Sequence, residues 1–325
     1  MRPAGQIMRA ARVPALSKVA SPTYLCQATG SSAAQIFLKS VRIKAWFNMR
    51  EITPSFFPDL EKHVEGQVLR KTTPFPVQTY HELVRKVAQL SFLNKDYLLF
   101  YRGQDQDYQN KAGSSTFYPN IYRKEILTAQ EIRSRFELLD VATYKLIEAF
   151  ENEKLDGRTD IRRKQYIAWS ILQHYGVCDT PLLDLTQSLR VAATFAQLGN
   201  KSERGMVYVF GLPYTTNRIT YNSEQDLVIV RLLSICPPEA LRPYFQEGYL
   251  CGTLDITDTY ANKSELDFKN RLIAKFSIPT GASFWGSGFS RIPKNLLFPD
   301  NDIIEAMCLR IREDIISEMK SVFFN

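Results

Sequence analysis

The sequence predicts an α+β fold, a single globular domain with a long-helix middle segment and a mixed or antiparallel sheet. Apolar residues at helical spacing dominate the middle of the chain, and runs rich in β-branched and aromatic residues follow them. These segments do not alternate regularly, as the units of a parallel βαβ fold would. A chain of 325 residues, 45% of them hydrophobic, is also long enough to bury a sizeable core.

Periodicity and end signals together predict the helices. The longest predicted helix, 128–153, opens with Thr128 and has Glu131 three positions later, which is the spacing of a capping box. Apolar residues at helical spacing predict further helices over 79–93, about 160–175, 186–198 and from Asn301 onward. The last of these is expected to bury Ile304, Cys308, Ile311, Ile315 and Met319 on one stripe.

The predicted strands are short runs closed by turn residues. They cover 96–103, 180–185, 205–212, 226–233 and 272–279. Pro279 ends the last run, because proline cannot donate a hydrogen bond to a sheet. The glycine-punctuated stretch 283–294 is predicted to be a loop.

The net charge of +7 comes from one end of the chain. Residues 1–50 contain eight Lys/Arg and no Asp or Glu, which leaves 33 basic and 34 acidic residues in 51–325. A basic surface over the whole protein, suited to nucleic acid, is therefore not predicted. Residues 1–48 are expected to be a disordered or misannotated extension before a domain over 49–325. A transit peptide and a basic arm for an anionic partner are the alternatives.

Composition also excludes several classes of protein. The five cysteines are scattered without metal-like spacing, and there are only three histidines, so neither a disulfide framework nor a metal centre is expected. No run of about 18 apolar residues exists, so no membrane span is expected. These features predict a cytoplasmic globular protein.

Three short stretches contain the residue types of a binding site, and the first is FYRGQ. It places Arg102 between Tyr101 and Gly103 at the end of a predicted buried strand. The planar guanidinium group suits a phosphate, and the glycine allows close approach to the backbone. The alternative is an ion pair between Arg102 and Asp105 or Asp107.

The second stretch is LQHYGVCDTPLLDLT. His174 and Tyr175 lie at a predicted helix end, and Asp184 interrupts an apolar run. A buried aspartate must be hydrogen-bonded or face a cleft. The alternative for the first pair is a plain helix end, with Gly176 as its cap. Thr186 is expected to cap the next helix, whose N-terminus would suit an anion.

The third stretch is RPYFQEGY, in which Gln246 and Glu247 precede a glycine. An exposed turn is the alternative interpretation. YRGQ, QHYGV, TPLLDLTQSLRVAATFA, FQEGY and LFPD occur in this order, and together they resemble the FRG domain family of bacterial and phage proteins over about residues 78–300. The chain departs from the family pattern at Cys178-Asp179, at Pro181, where a basic residue is common, and at Leu185, where Trp is common.

A more distant resemblance is to arginine-type ADP-ribosyltransferases. These enzymes have a YRG-like strand, then a strand ending in Ser/Thr before a helix, then a turn with a glutamate. The resemblance implies an ADP-ribosyltransferase-like fold with NAD as substrate. The implied cofactor-binding residues are Tyr101, Arg102, Gly103, His174, Tyr175, Asp184, Thr186 and Ser188. The implied catalytic residue is Glu247, although Gln246 is the residue that aligns with the FRG pattern.

Two functions follow from these resemblances. One is an NAD-dependent mono-ADP-ribosyltransferase-like effector in phage defence, with an unidentified macromolecular acceptor. The other is a non-catalytic module that senses a nucleotide or another ligand. In both cases Arg102, His174 and Asp184 are expected to line one concave site. Asp184 is expected to accept hydrogen bonds from backbone amides or from Arg or Tyr side chains.

Overall fold

The structure is a computed structural model that describes residues 51–124, 127–254 and 263–323, with side chains up to residue 318. The expectations for residues 1–48 and for the side chain of Met319 lie outside these described residues. The described residues all belong to one compact unit. The domain extent of 49–325 remains a prediction.

One open mixed sheet of eight strands organises the described chain. The strands are β1 (Phe75–Pro76), β2 (Leu98–Gln104), β3 (Leu183–Thr186), β4 (Arg204–Leu212), β5 (Ile219–Asn222), β6 (Leu227–Arg231), β7 (Gly248–Thr253) and β8 (Leu272–Pro279). Their order across the sheet is β1–β8–β4–β2–β3–β7–β6–β5. Every neighbouring pair is antiparallel except β1 with β8. The predicted mixture of helices with a mixed, mainly antiparallel sheet is confirmed.

Ten α-helices accompany the sheet in the described residues. They are α1 (Pro58–Val64), α2 (Tyr80–Leu93), α3 (Ala129–Asn152), α4 (Arg158–Arg163), α5 (Gln165–His174), α6 (Leu189–Gln197), α7 (Leu232–Ile235), α8 (Arg242–Gln246), α9 (Lys294–Leu297) and α10 (Ile303–Phe323). Within the described ranges, none of these helices is long and apolar enough to cross a membrane.

The starts of two helices test the capping predictions. Thr128 accepts a hydrogen bond from the Glu131 amide, and the Glu131 carboxylate accepts one from the Thr128 amide, so the predicted capping box of α3 is confirmed. The predicted cap of α6 is wrong. Ser188 occupies the N-cap position, and Thr186 is the last residue of β3. The Thr186 hydroxyl group donates to the carbonyl of Gln246, which ties it to the segment leading into β7.

Other boundaries also differ from the predictions. The helix predicted over about 160–175 is interrupted at Lys164, whose extended backbone separates α4 from α5. The run 226–233 leaves the sheet at Leu232, which begins the short helix α7 and packs into the core. The sequence interpretation missed seven short elements, because elements of two to seven residues show little periodicity; they are α1, α7, α8, α9, β1, β5 and β7.

The two faces of the sheet are covered differently. On one face, α1, α2 and α6 pack on β8, β4 and β2, while α3, α5 and α10 pack on β7 and β6. On the other face, loop residues such as Phe117 and Phe268 cover the sheet. Side chains alternate between the two: Val207 and Val209 of β4 face the helices, and Tyr208 faces the loops.

The two groups of helices meet over β2 and β3. The residues of β2 and β3 on the helix-covered face here are polar: Tyr101 pairs with Thr186, and Asp184 pairs with Leu250, which belongs to the apolar core. A sheet face normally covered by apolar packing thus has a polar strip at the junction of two cores. The candidate site lies on this strip.

Candidate functional site

A cavity of about 370 Å³ opens where the two helical groups meet. It is lined by eight of the ten predicted site residues: Tyr101, Arg102, Gly103, His174, Tyr175, Asp184, Thr186 and Gln246. The structure therefore brings Arg102, His174 and Asp184 together in one concave site, as expected. The roles of these residues toward a ligand remain predictions.

The glycine of the YRG motif allows close packing of a helix. A Cβ atom at Gly103 would lie 1.8 Å from the carbonyl oxygen of Ala192, and one at Gly205 would lie 2.1 Å from that of Ala196. Helix α6 therefore rests directly on β2 and β4 through small residues on both sides. The close approach predicted at this glycine is used by α6, and it places Phe195 in the cavity wall.

Strands β2 and β3 separate beside Arg102, and the arginine bridges them. The two strands pair only at Tyr101 and Thr186, although both extend beyond that pair. Past it, Nη1 of Arg102 donates to the main-chain carbonyl of Asp184 at 2.5 Å. The guanidinium group thus provides a hydrogen bond that the sheet ladder lacks at this position.

The rest of the Arg102 guanidinium group is only partly satisfied. Its Nε atom is shielded from water and has no hydrogen-bond partner among the described residues. Burial lowers the pKa of Arg102 to about 10, and the charge of Asp184 opposes that shift, so the group remains a cation at neutral pH. The alternative ion pair does not form in the structure, because Asp107 pairs with Lys275 instead.

A chain of side-chain hydrogen bonds holds the Asp184 carboxylate. The Gln173 amide donates to its Oδ2 at 2.6 Å, and Thr180 donates to the carbonyl oxygen of that amide at 2.7 Å. The Asp184 carboxylate was expected to accept from backbone amides or from Arg or Tyr side chains, and this prediction is wrong. Arg102 donates to the main-chain oxygen of Asp184, and the carboxylate is bound by Gln173 of the preceding helix. Gln173 was the missed residue, although it precedes His174 in the QHYG motif.

Asp184 is ionised at neutral pH. Its side chain is 39% exposed, and its Oδ1 lies 3.8 Å from Nδ1 of His174. Burial alone would raise the pKa of Asp184, but the nearby His174, the charge of Arg102 and the Gln173 amide together hold the pKa below its usual value. The cavity therefore contains one carboxylate close to an imidazole ring.

His174 is almost fully buried at the end of α5, with 5% of its side chain exposed. A Cβ atom at Gly248 would lie 3.3 Å from its ring, so the glycine at the start of β7 leaves room for it. Nε2 of His174 is shielded from water and has no partner among the described residues. Gly176 has a φ of +66°, which fits the predicted stop of the helix.

Arg242, which the sequence interpretation left without a role, forms the opposite wall. Its guanidinium group lies 4.6 Å from the ring centre of Phe298, donates to the carbonyl of His174 at 3.0 Å and pairs with Glu305 at 3.1 Å. Its Nε has no partner in the part of the chain that the structure describes. The signal was available, since Arg242 begins the quoted RPYFQEGY stretch.

Buried Asp302 fixes Arg242 and Tyr175 in place. Its Oδ2 accepts hydrogen bonds from the Tyr175 hydroxyl group at 2.7 Å and from the amides of Leu241 and Arg242 at 3.0 and 2.8 Å. Its Oδ1 accepts from the Glu305 amide at the start of α10. Asp302 was missed, although an aspartate three residues before a glutamate is a helix-start signal.

Of the two site residues predicted in the third stretch, Gln246 lines the cavity and Glu247 does not. Gln246 is buried in the cavity wall and donates to the carbonyl of Leu297 at 2.8 Å. Glu247 is exposed, has a φ of 44° and does not line the cavity. Ser188 does not line the cavity either. The predicted catalytic role of Glu247 and the cofactor-binding role of Ser188 remain predictions.

The cavity is positively charged overall. It contains three arginines, Arg102, Arg242 and Arg312, and one carboxylate, Asp184. Aromatic rings of Tyr101, Phe195 and Phe298 supply apolar surface. Among the described residues, no group of three or more His, Cys, Asp or Glu side chains could hold a metal ion. The residue types present therefore suit an organic anion.

Comparison with protein families places most of this site in a known domain. The FRG domain model matches residues 98–204, which run from β2 through α6 to the first residue of β4. Arg242, Gln246, Phe298 and Arg312 lie after the matched region and complete the cavity. No curated protein and no solved structure matches the chain. The chain thus contains a region, residues 98–204, that matches the FRG domain, and the motif residues of this region line the cavity.

Proposed function

We propose that the cavity binds the ribose-phosphate part of a nucleotide and that NAD is the first ligand to test. One observation supports this most strongly. Three cavity residues, Arg102, Arg242 and His174, each have a ring or guanidinium nitrogen that is shielded from water and lacks a partner among the described residues. Buried polar atoms without partners are costly, and a bound ligand would remove that cost.

The three nitrogens differ in what they need. Nε of each arginine is a donor and suits a phosphate oxygen. Nδ1 of His174 lies on the side of the Asp184 carboxylate, which favours a proton on Nδ1 and leaves Nε2 as an acceptor for a hydroxyl group. A ribose phosphate offers both oxygen acceptors and hydroxyl donors.

The remaining surface fits the rest of a nucleotide. Phe195, Phe298 and Tyr101 offer ring surfaces to a base or a nicotinamide ring. The volume of about 370 Å³ is within the usual range of small-molecule sites. Recognition without turnover, which corresponds to the ligand-sensing alternative, requires nothing more than these contacts.

Calorimetric titration with NAD tests the proposal, with AMP, ribose 5-phosphate and nicotinamide as partial ligands. Arg102→Lys is expected to weaken NAD binding by about 10- to 100-fold, because an ammonium group cannot replace the planar guanidinium fork. Arg204→Lys is the matched control, since Arg204 begins the neighbouring β4 and does not line the cavity. Equal losses in both variants, or no binding of NAD and its partial ligands by the wild type, would refute the proposal.

ADP-ribosyl transfer is the second candidate, and the position of Asp184 favours it. Transfer through an oxocarbenium-like transition state is stabilised by a nearby negative charge. Asp184 is the one carboxylate in the cavity wall and is ionised, whereas Glu247 lies outside that wall. An ADP-ribosyltransferase-like fold, a role in phage defence and a cytoplasmic location belong to this second proposal.

Label transfer from NAD to lysate components, with and without phage infection, tests the second candidate. Asp184→Asn is expected to reduce transfer by at least 100-fold while NAD affinity changes only a few-fold. Glu247→Gln and Gln246→Ala, run in parallel, identify the working residue. If Glu247→Gln alone strongly reduces label transfer, Glu247 and not Asp184 is the catalytic residue. NAD binding without transfer would leave the sensing function.

A further inference from the structure

A second cavity of about 790 Å³ adjoins the first and has a different character. The two share Arg102, Gly103 and Phe195, so only β2 and α6 separate them. The second cavity is lined mainly by the loop between β2 and α3, and Arg242 is not among its lining residues. Tyr108 and Arg123 line only the second cavity, so a ligand held by them does not depend on the proposed nucleotide site.

The charged residues that line this cavity are nearly all positive. Its wall contains five cationic residues and one carboxylate, Asp105; the cations are Arg102, Lys111, Arg123, Lys124 and Lys263. They come from four separate segments, so tertiary folding brings like charges together. Lys124 is balanced by an ion pair with Glu131, whereas neither Arg102 nor Arg123 forms an ion pair with a carboxylate within the described part of the chain. A bound polyanion would relieve the remaining repulsion.

Aromatic rings are interleaved with these cations. Tyr108 is 46% exposed, and its hydroxyl group donates to Asp105 at 2.9 Å, which fixes the ring at the cavity wall. Tyr118 also lines the wall, with the ammonium group of Lys263 4.8 Å from its ring centre. Nε of Arg123 donates to the carbonyl of Tyr118 at 3.0 Å. Exposed rings next to fixed cations are the arrangement that binds stacked bases and their phosphates.

The loop that holds these groups is anchored from beneath. Asp107 pairs with buried Lys275 at 3.1 Å and accepts a hydrogen bond from Tyr208 at 3.0 Å. Lys275 also donates to Ser115 at 2.8 Å, and the amides of Ala112 and Ser114 both donate to Asn110 Oδ1. Two points of the loop are thus fixed to the sheet, and the wall is organised before any ligand arrives.

We propose that this second cavity binds single-stranded nucleic acid, with Arg123 on a phosphate and Tyr108 stacked on a base. A recess suits an unpaired strand, whose bases are free to enter it, better than a duplex. The aromatic rings favour nucleic acid over an acidic peptide, since a peptide carboxylate uses the cations alone.

Fluorescence anisotropy with labelled 12-nucleotide single-stranded RNA and DNA, at several salt concentrations, tests the proposal on the full chain. Tyr108→Leu is expected to weaken binding at least about fivefold, through the loss of one stacked base. Arg123→Gln is expected to weaken it by a similar factor and to reduce the slope of log affinity against log salt by about one. NAD titration of both variants is expected to match the wild type, which separates this site from the first cavity.

Two matched controls have the same substitutions elsewhere. Tyr144→Leu removes an exposed tyrosine of α3, and Arg163→Gln removes an exposed arginine of α4, neither of which lines the cavity. Affinity is expected to stay within twofold in both, and thermal unfolding checks that all four variants are folded. The proposal is overturned if the wild type binds no oligonucleotide, if it binds duplex as tightly as single strands, or if the controls lose as much affinity as the cavity variants.

Discussion

Two buried cations lie in the same row of the sheet, but their hydrogen-bond and ion-pair partners differ. Arg102 of β2 pairs in register with Tyr208 of β4, which pairs with Lys275 of β8. Lys275 has a carboxylate, Asp107, at 3.1 Å and the Ser115 hydroxyl group at 2.8 Å. Arg102 has one carbonyl and an Nε atom without a partner among the described residues.

The difference shows which buried charge is structural. The ion pair of Lys275 fixes a loop to the sheet, and the Tyr208 hydroxyl group between the two cations also donates to Asp107. Arg102 does not bond this carboxylate, so its Nε donor stays unused in the cavity wall. A buried cation that is fully paired supports the fold, whereas one with unused donors indicates a binding site.

The largest expected effect comes from breaking the satisfied pair. Lys275→Met leaves the Asp107 carboxylate buried without its cation and is expected to lower the free energy of unfolding by about 3–5 kcal/mol. Lys164→Met is the control, because its ion pair with Asp160 is exposed, and it should cost less than about 1 kcal/mol. Urea unfolding measures both; similar losses would contradict the distinction.

A smaller loss of stability is expected from breaking the hydrogen-bond chain that holds Asp184 in the cavity wall. Thr180→Val preserves shape but removes the donor to Gln173, so the amide that holds Asp184 loses its own anchor. The free energy of unfolding should fall by about 1–3 kcal/mol. Denaturant unfolding at neutral pH checks this value, and a change below about 0.5 kcal/mol would show that Gln173 finds another partner.

Removing the partly satisfied cation, Arg102, should cost less stability than either of these two changes. Arg102→Met loses the hydrogen bond to the Asp184 carbonyl but also removes a buried donor without a partner, so the net loss is expected to be about 1 kcal/mol or less. The same variant should lose NAD binding. If Arg102→Met unfolds as easily as Lys275→Met, the arginine is a structural bridge and the comparison fails.

The smallest effect is a change in acid sensitivity. The pKa of Asp184 is lowered in the folded protein, so its contribution to stability is present above the usual pKa of about 3.8 and is lost as pH falls through the lower folded value. Asp184→Asn should therefore flatten the decline in stability between pH 5 and pH 3. Unfolding curves at these two pH values measure the slope, and an unchanged slope would mean that other carboxylates dominate.

The sequence alone was enough to identify eight of the residues that line the first cavity and the ends of the longest helix. Thr128 and Glu131 predicted the start of α3 because a capping box is local. The YRGQ and QHYG motifs gave Arg102 and His174 because their residue types and their order along the chain are sequence properties. Local patterns determine local geometry and residue types, which is why the capping box and the cavity-lining positions of Arg102 and His174 could be predicted, while their chemical roles remain predictions.

The partners of those residues were decided by the tertiary structure. Asp107, five residues from Arg102, pairs with Lys275 across the sheet because β4 and β8 place that lysine beneath the loop. Arg242 is held at the cavity because Asp302, far along the chain, accepts hydrogen bonds from the Tyr175 hydroxyl group and from the amides of Leu241 and Arg242. Such contacts join residues 60 to 168 positions apart, and no local pattern records a distance across the fold.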